Sequence, residues 1–293
     1  MRMLDQSVKE ELSARVEKLE DLFKGDVMAY VGQIHPAYLK DFRNFIEHLV
    51  SNSTNKKKLL VINLHTPGGS VEAVEKMVEI VRHHYKNVYF IVPDSAMSAG
   101  TIFCMSGDKI YMDYSSSLGP IDPQVLITKD GRDQYVPALG YLDQVEKLIE
   151  KSNDNTLSPA EFAILQNQDL GLLRRYEQAR DLSVDLLETW LIKYKFKNWK
   201  EHRSSSDKQG QKVTMTEKKA RAHEIAELLG SNKEWHAHGR MIGIGTLSAK
   251  LKLEIEDYTD TEYRPAIREY NDFLTEYVSK QQFPIFMHSK SFF

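Results

Sequence analysis

Among its 293 residues the chain has a single cysteine, Cys104, which excludes an intrachain disulfide framework and any multi-cysteine metal site and fits a reducing compartment. Long apolar runs are missing as well. The longest, Leu59 to Leu64 and Val88 to Pro93, have strand length, far below the ~20 residues of a membrane helix. The first 23 residues mix charged and apolar side chains and lack the unbroken apolar stretch of a secretion signal. Nor is there an excess of one charge: a formal charge of -3 and a pI near 6.4 leave no basic field to gather phosphate backbones. The expectation is a soluble, cytoplasmic protein with neither nucleic acid nor membrane as partner.

What is there suits an ordinary globular protein, since 41% hydrophobic and 28% charged residues suffice for at least one sizeable core. Val8, Leu12, Val16, Leu19 and Leu22 recur at helical spacing, which predicts an amphipathic packing or oligomer-contact helix over residues 5–23. From Asp26 apolar strand-like segments alternate with helical ones: DVMAYVGQI, a helix from about Pro36 to Val50, KLLVINLH, VEAVEKMVEIVRHHY, NVYFIVP, SAGTIFCMSG and KIYMD. That alternation is the pattern of a largely parallel α/β sheet. QVLITKDGRDQYV predicts a hairpin turning at residues 129–132, and helices follow over 138–152, 159–168, 171–197 and 217–229. The division expected is an N-terminal helix at 1–25, an α/β core at 26–137 and a helical region at 138–232 with an exposed loop near 198–216. A closing segment of the core at 233–258 and a C-terminal helix and tail at 259–293 complete it.

Three segments, HTPGGS, DSAMSAGTIF and SLGPIDPQ, have compositions that packing alone does not require. Adjacent glycines directly after a strand let the backbone turn sharply and expose amide groups, so Gly68 and Gly69 are candidate oxyanion donors. Ser98 stands among small residues after the next strand, at the start of a short apolar helix. There the first amides, including that of Ala99, and the helix dipole favour an alkoxide and a tetrahedral oxyanion. Taken singly, a Pro-Gly-Gly turn is common and Ser98 reads equally as a helix N-cap. A glycine turn, a helix and a Ser-Ala-Gly strand end about thirty residues on, in that order, resemble the layout of the Clp-protease/crotonase superfamily.

NLHTPGGSVEAVEKMVEIVRHHY, FIVPDSAMSAGTIFCMSGDKIYMD and LGPIDPQ, together with VPALGYLDQVEKLIE and WHAHGRMIGIGTLSAKLKLEIEDY, resemble the serine dehydrogenase proteinase family. That family is related to the Clp proteolytic subunit and to signal peptide peptidase A, within the Clp-protease/crotonase superfamily. The resemblance implies an α/β fold, a ClpP/crotonase-like spiral of β-β-α units with an appended mostly helical region. It also implies peptide or unfolded-protein hydrolysis through Ser98 and a homo-oligomer, with an unfoldase partner left open. No cofactor and no metal is expected.

A serine hydroxyl needs a proton acceptor, and here the chain departs from its relatives. No histidine lies between Ser98 and His202, where the Clp subunit has its base, and no lysine lies near Pro137-Ala138-Leu139, where signal peptide peptidase A relatives have theirs. The candidates are His238, His65, Lys129 and Lys147. His238 precedes a helix-strand unit resembling the closing unit of the Clp subunit, whereas His65 leaves the strand just before the glycine turn. Lys129 falls in the predicted hairpin turn and Lys147 on a helix surface. Asp122 is the candidate triad acid, with a rigid Gly-Pro, Asp-Pro double turn as the structural alternative. Arg240 is a candidate for a substrate carboxylate or for pairing with Asp122, and Ser95 is the fallback nucleophile.

Other features read as structural. Cys104 is a small buried hydrophobe, and His83 and His84 complement a helix C-terminus. His236 and His238, one residue apart, would share one side of a strand but lack acidic or cysteine ligands nearby. In KYKFKNWK, Phe196 and Trp199 pack inward while the lysines serve a helix end. The expected function is a serine peptidase; the alternatives are a crotonase-like acyl-CoA enzyme with the same oxyanion hole, or a non-catalytic scaffold of that fold.

Overall fold

The computed structural model describes residues 3–53, 58–129, 132–202 and 208–291. The chain opens with α1 (Met3–Phe23), on which Leu12, Val16 and Leu19 are fully buried. β1 (Asp26–Gly32), a 3-10 turn (Pro36–Tyr38) and α2 (Leu39–Asn52) follow. β2 (Leu59–His65) leads into α3 (Val71–His84), whose first turn is capped by the Ser70 hydroxyl accepting from the Ala73 amide. β3 (Asn87–Val92), β4 (Ser95–Ala96), α4 (Ala99–Met105), β5 (Lys109–Met112) and β6 (Ser117–Leu118) complete the α/β run. The hairpin forms as β7 (Gln124–Lys129) and β8 (Arg132–Pro137), paired antiparallel, with its two turn residues outside the described residues.

The helical region consists of α5 (Ala138–Asn153), α6 (Pro159–Gln166), α7 (Leu170–Trp190) and α8 (Met215–Gly230). Capping boxes Ser158/Glu161 and Thr214/Glu217 start α6 and α8. The single helix expected over 171–197 is interrupted. Residues Leu191–Lys195 form a π-helical turn closed by the Phe196 amide donating to the Leu191 carbonyl at 2.7 Å, a widening that lets Phe196 pack in the core. α9 (Asn232–Trp235), α10 (Ile244–Ala249), β9 (Glu256–Asp257), α11 (Tyr263–Gln281) and β10 (Ile285–Ser289) end the chain. The expected strand around His236 and His238 does not form. His236 closes α9 in the left-handed region (φ 63°), because the short helix needs a reversal there. The tail, expected to be plain, supplies β10.

The main sheet has the order β10-β1-β2-β3-β5-β9 and is parallel except for β10, which runs antiparallel to β1. Strand alternation divides its side chains between two cores. Leu60, Ile62 and Leu64 face Phe42, Phe45, Val74 and Phe103 on the α2, α3 and α4 side. Val27, Ala29, Val61 and Ile91 face Leu12, Val16, Ile267, Tyr270 and Leu274 of α1 and α11. A helical layer on each face is what buries an all-apolar parallel strand on both sides.

A second, narrower strip of backbone pairing crosses the carboxyl ends of these strands. Ile34 bridges Gly69, Thr66 bridges Ala96, β4 pairs in parallel with β6, and Leu118 bridges Ile242 antiparallel. This strip carries all three segments singled out by composition. Among the described residues no helix is long and apolar enough to cross a membrane.

Candidate active site

Ser98 sits between β4 and α4 at the helix N-cap position with φ 52° and ψ -117°, a conformation that costs a non-glycine residue about 1–3 kcal/mol. The surroundings enforce it. The Thr66 amide donates to the Ser95 carbonyl at 3.1 Å and the Met97 amide to the Thr66 carbonyl at 3.0 Å, which fixes the chain before the serine. After it, α4 begins at once, with the Thr101 amide donating to the Ser98 carbonyl at 2.9 Å. Ser70, Ser158 and Thr214 cap their helices with the side-chain oxygen, whereas the Ser98 hydroxyl makes no capping hydrogen bond. A half-buried serine on a strained strand-to-helix turn, with a hydroxyl that does not cap its own helix, has the geometry of a nucleophile.

The glycine turn packs directly against it. Gly68 has φ 102°, and a Cβ there would stand 2.7 Å from the Met97 carbonyl oxygen and 2.9 Å from Ser98 Cβ. Gly69, at φ 148°, lies so close to the Ile34 backbone that a Cβ would fall 1.9 Å from its carbonyl oxygen. Only glycine fits either position. The three expected oxyanion donors differ in state. The Gly68 amide donates to Thr66 Oγ1 at 3.0 Å, whereas among the described residues the amides of Gly69 and Ala99 donate to no backbone carbonyl. Thr66 was missed from sequence, although Thr-Pro-Gly is the spacing of a local threonine turn, with hydroxyl and amide two residues apart.

Asp122 and His238, 116 positions apart in the chain, meet through the Leu118–Ile242 bridge. The two segments run antiparallel there, so four residues beyond Leu118 and four before Ile242 come opposite one another. His238 Nδ1 lies 2.8 Å from Asp122 Oδ1, with the carboxylate buried and the imidazole half-buried. β6, which sets this register, is locked to the serine element by Thr101: its hydroxyl lies 2.9 Å from the carbonyls of Ala96 and Gly119 and accepts from the Gly119 amide at 2.9 Å. Thr101 was also missed, because a threonine inside an apolar helix carries no local signal of its three partners.

The other candidates are placed elsewhere. His65 ends β2 on the side of the sheet occupied by α11; its Nδ1 is 3.6 Å from Asp94 Oδ2. Asp94 in turn accepts from Asn271 at 2.7 Å and from Arg268 at 3.2 Å. Arg268 also forks onto Asp113, whose carboxyl burial pushes up, while hydrogen bonds from Arg268 and Ser115 outweigh that and hold it below the ordinary range. Lys147 is exposed on α5, and the side chain of Lys129 lies outside the described residues. Ser95 lies in β4, directly paired with Ser117 of β6. Arg240 is exposed; the partner of Asp122 is His238. Cys104 is buried, and burial pushes its thiol far up. His83 and His84 close α3 with rings 4.8 Å apart. Among the described residues no group of three or more histidine, cysteine or acidic side chains could hold a metal ion.

A family model described as ClpP-like SDH-type serine proteinase matches residues 45–197, just over half of the chain. The chain belongs to that family. The fold is accordingly ClpP-like, a mixed α/β architecture about a central sheet with added helices. The matched span contains the glycine turn, Ser98 and Asp122, and ends before His238. Two uncharacterized proteins of Methanocaldococcus jannaschii are similar: one is 37% identical over 142 residues, 45% of this chain and 47% of that protein. The other is 35% identical over 94 residues, 32% of this chain and 30% of that protein. The chain thus matches less than half the length of either. Among solved structures, a serine-to-alanine mutant of the 1510-N membrane-bound stomatin-specific protease aligns with a TM-score of 0.40 at 15% identity, over 80% of this chain and 93% of that one. A lysine-to-alanine mutant of the same protease, in complex with a substrate peptide, aligns with a TM-score of 0.33 at 24% identity, over 43% and 59%.

Proposed function

We propose that this chain is a cytoplasmic serine peptidase that cleaves peptide bonds through a Ser98 acyl-enzyme, with His238 as general base and Asp122 as the acid that orients it. The observation that carries the reading is the 2.8 Å contact of His238 Nδ1 with buried Asp122, set by the strip of pairing that also fixes the strained Ser98. With Nδ1–H held by the carboxylate, Nε2 is the ring nitrogen left to take a proton. His65 supports the role less well, because its nearest acid belongs to a network with Arg268 and Asn271 on the other side of the sheet.

In this mechanism His238 Nε2 takes the Ser98 hydroxyl proton as the oxygen attacks the scissile carbonyl. The amides of Gly69 and Ala99 stabilise the resulting oxyanion, joined by that of Gly68 when it leaves Thr66 Oγ1. Collapse expels the amine with the proton from His238, and a water deprotonated by the same nitrogen hydrolyses the ester. The substrate on this reading is a peptide or an unfolded polypeptide, as suits a serine proteinase, and the working form is taken to be a homo-oligomer. Ser98→Ala is expected to abolish peptide hydrolysis and fluorophosphonate labelling with the circular dichroism spectrum unchanged. Labelling that persists in this variant would sink the assignment.

A further inference from the structure

A cavity of about 1090 Å³ lies away from the serine site. It opens at the other end of the sheet, where Asn87 and Tyr89 begin β3 and Lys109 begins β5, and it is walled by the π-helical turn, α8 and residues 248–256. Its volume is of the order of that of small-molecule sites, ~300–1,000 Å³. Most of the charges around it are already matched. Lys109 pairs with Glu256 at 2.9 Å, Lys208 with Glu217 at 2.8 Å, Lys197 with Asp108, and Arg221 with Glu224.

Among the described residues Lys195 and Lys252 carry no such pair. The π turn, rare in proteins and often found at functional sites, ends on Lys195 and directs it into the cavity wall, while the preceding Tyr194 stacks on Arg82 at 3.7 Å. Among the described residues the Lys195 ammonium makes no hydrogen bond or ion pair. Desolvation lowers its pKa to about 8, against the opposing pull of Glu254 and Glu256. Half-buried in the cavity wall and with no ion pair among the described residues, this ammonium is half of an ion pair. Lys252, exposed at the rim and held at φ 46°, adds a second cation, and Trp199 offers an aromatic wall. Glu254 lines the cavity too and limits how much negative charge it accepts.

We propose that this cavity binds a small anionic ligand through a phosphoryl or carboxylate group that pairs with Lys195, at a site separate from the peptidase centre. The anion supplies at contact distance a counter-charge that Glu254 and Glu256 supply only from farther away, with Lys252 standing at the rim.

Calorimetry on the full chain with two probes, inorganic phosphate and citrate, tests this. Saturable binding of one probe per chain is expected, weakened at least ~10-fold in Lys195→Met and retained in Ser98→Ala. Selective binding of phosphate identifies a phosphorylated ligand, and selective binding of citrate a carboxylate. Should Lys195→Met fail to fold, the Lys195 titration, followed by NMR of isotope-labelled lysine in the native chain, replaces it; the probe is expected to move that titration upward from about 8. The proposal is overturned if neither probe saturates the native chain, if Lys195→Met binds as tightly, or if the titration does not move.

Discussion

At the scale of the residue, the site depends on groups that tolerate no substitution. A Gly68 side chain would meet the Met97 carbonyl and Ser98 Cβ at under 3 Å and would have to adopt φ 102°. Gly68→Ala is therefore expected to destabilise the chain by about 1–3 kcal/mol and to abolish fluorophosphonate labelling; urea unfolding and a labelling gel check both. The Asp122–His238 pair makes a different prediction. Asp122→Asn keeps the shape but presents the wrong partner to Nδ1, so kcat for a peptide substrate should fall by ~10⁴-fold with KM little changed. A fall of only a few-fold would move Asp122 from the mechanism to the architecture of its double turn. Of these groups, Ser98 and the glycines stood out in the sequence because their small neighbours make no sense in a plain core. Thr66 and Thr101 did not, since a threonine next to apolar residues looks the same whether or not its hydroxyl joins two strands.

At the scale of the element, the late strand β10 shows how a short tail acquires weight. It covers the edge of β1 over five register pairs from Gly32–Ile285 to Met28–Ser289, and so protects an edge that would otherwise be open to another chain. Its His288 is fully buried, with Nδ1 2.9 Å from the Tyr270 hydroxyl. Burial, helped by the charge of Lys9, lowers its pKa from 6.5 to about 4. The unfolded chain therefore binds the extra proton first. The contribution of this group is complete above pH ~6.5 and is lost as pH falls toward 4, by on the order of 3 kcal/mol. Asp26, pushed up by burial despite hydrogen bonds from Ser53 and Tyr85, acts with the opposite sign as pH falls. The His288 share is isolated by difference: urea midpoints between pH 6.5 and 4 should decline more steeply for the native chain than for His288→Phe.

At the scale of the whole molecule, the sheet separates two chemistries. The serine, the glycine turn and the Asp122–His238 pair lie beyond the carboxyl ends of its strands, and the Lys195 cavity lies at the amino ends of β3 and β5. The two ends share the core of Phe90, Phe103 and Leu187. Variants should accordingly separate: Lys195→Met is expected to keep fluorophosphonate labelling of Ser98 at the native rate while it loses anion binding. Competition labelling with and without citrate measures this directly.

The sequence by itself determined the α/β alternation, the glycine turn, the serine at a helix start and the family, because each is written in residues that are neighbours in the chain. Periodicity and turn chemistry are local, and local physics suffices to read them. The surroundings of His238 and His65 are not local. Only the tertiary structure decided which acid each histidine meets, through one antiparallel bridge between Leu118 and Ile242. The same holds for the π turn that directs Lys195 into a cavity and for the pairing of β10 with β1. Each depends on backbone register between distant segments, which hydrogen-bond geometry and core packing set together.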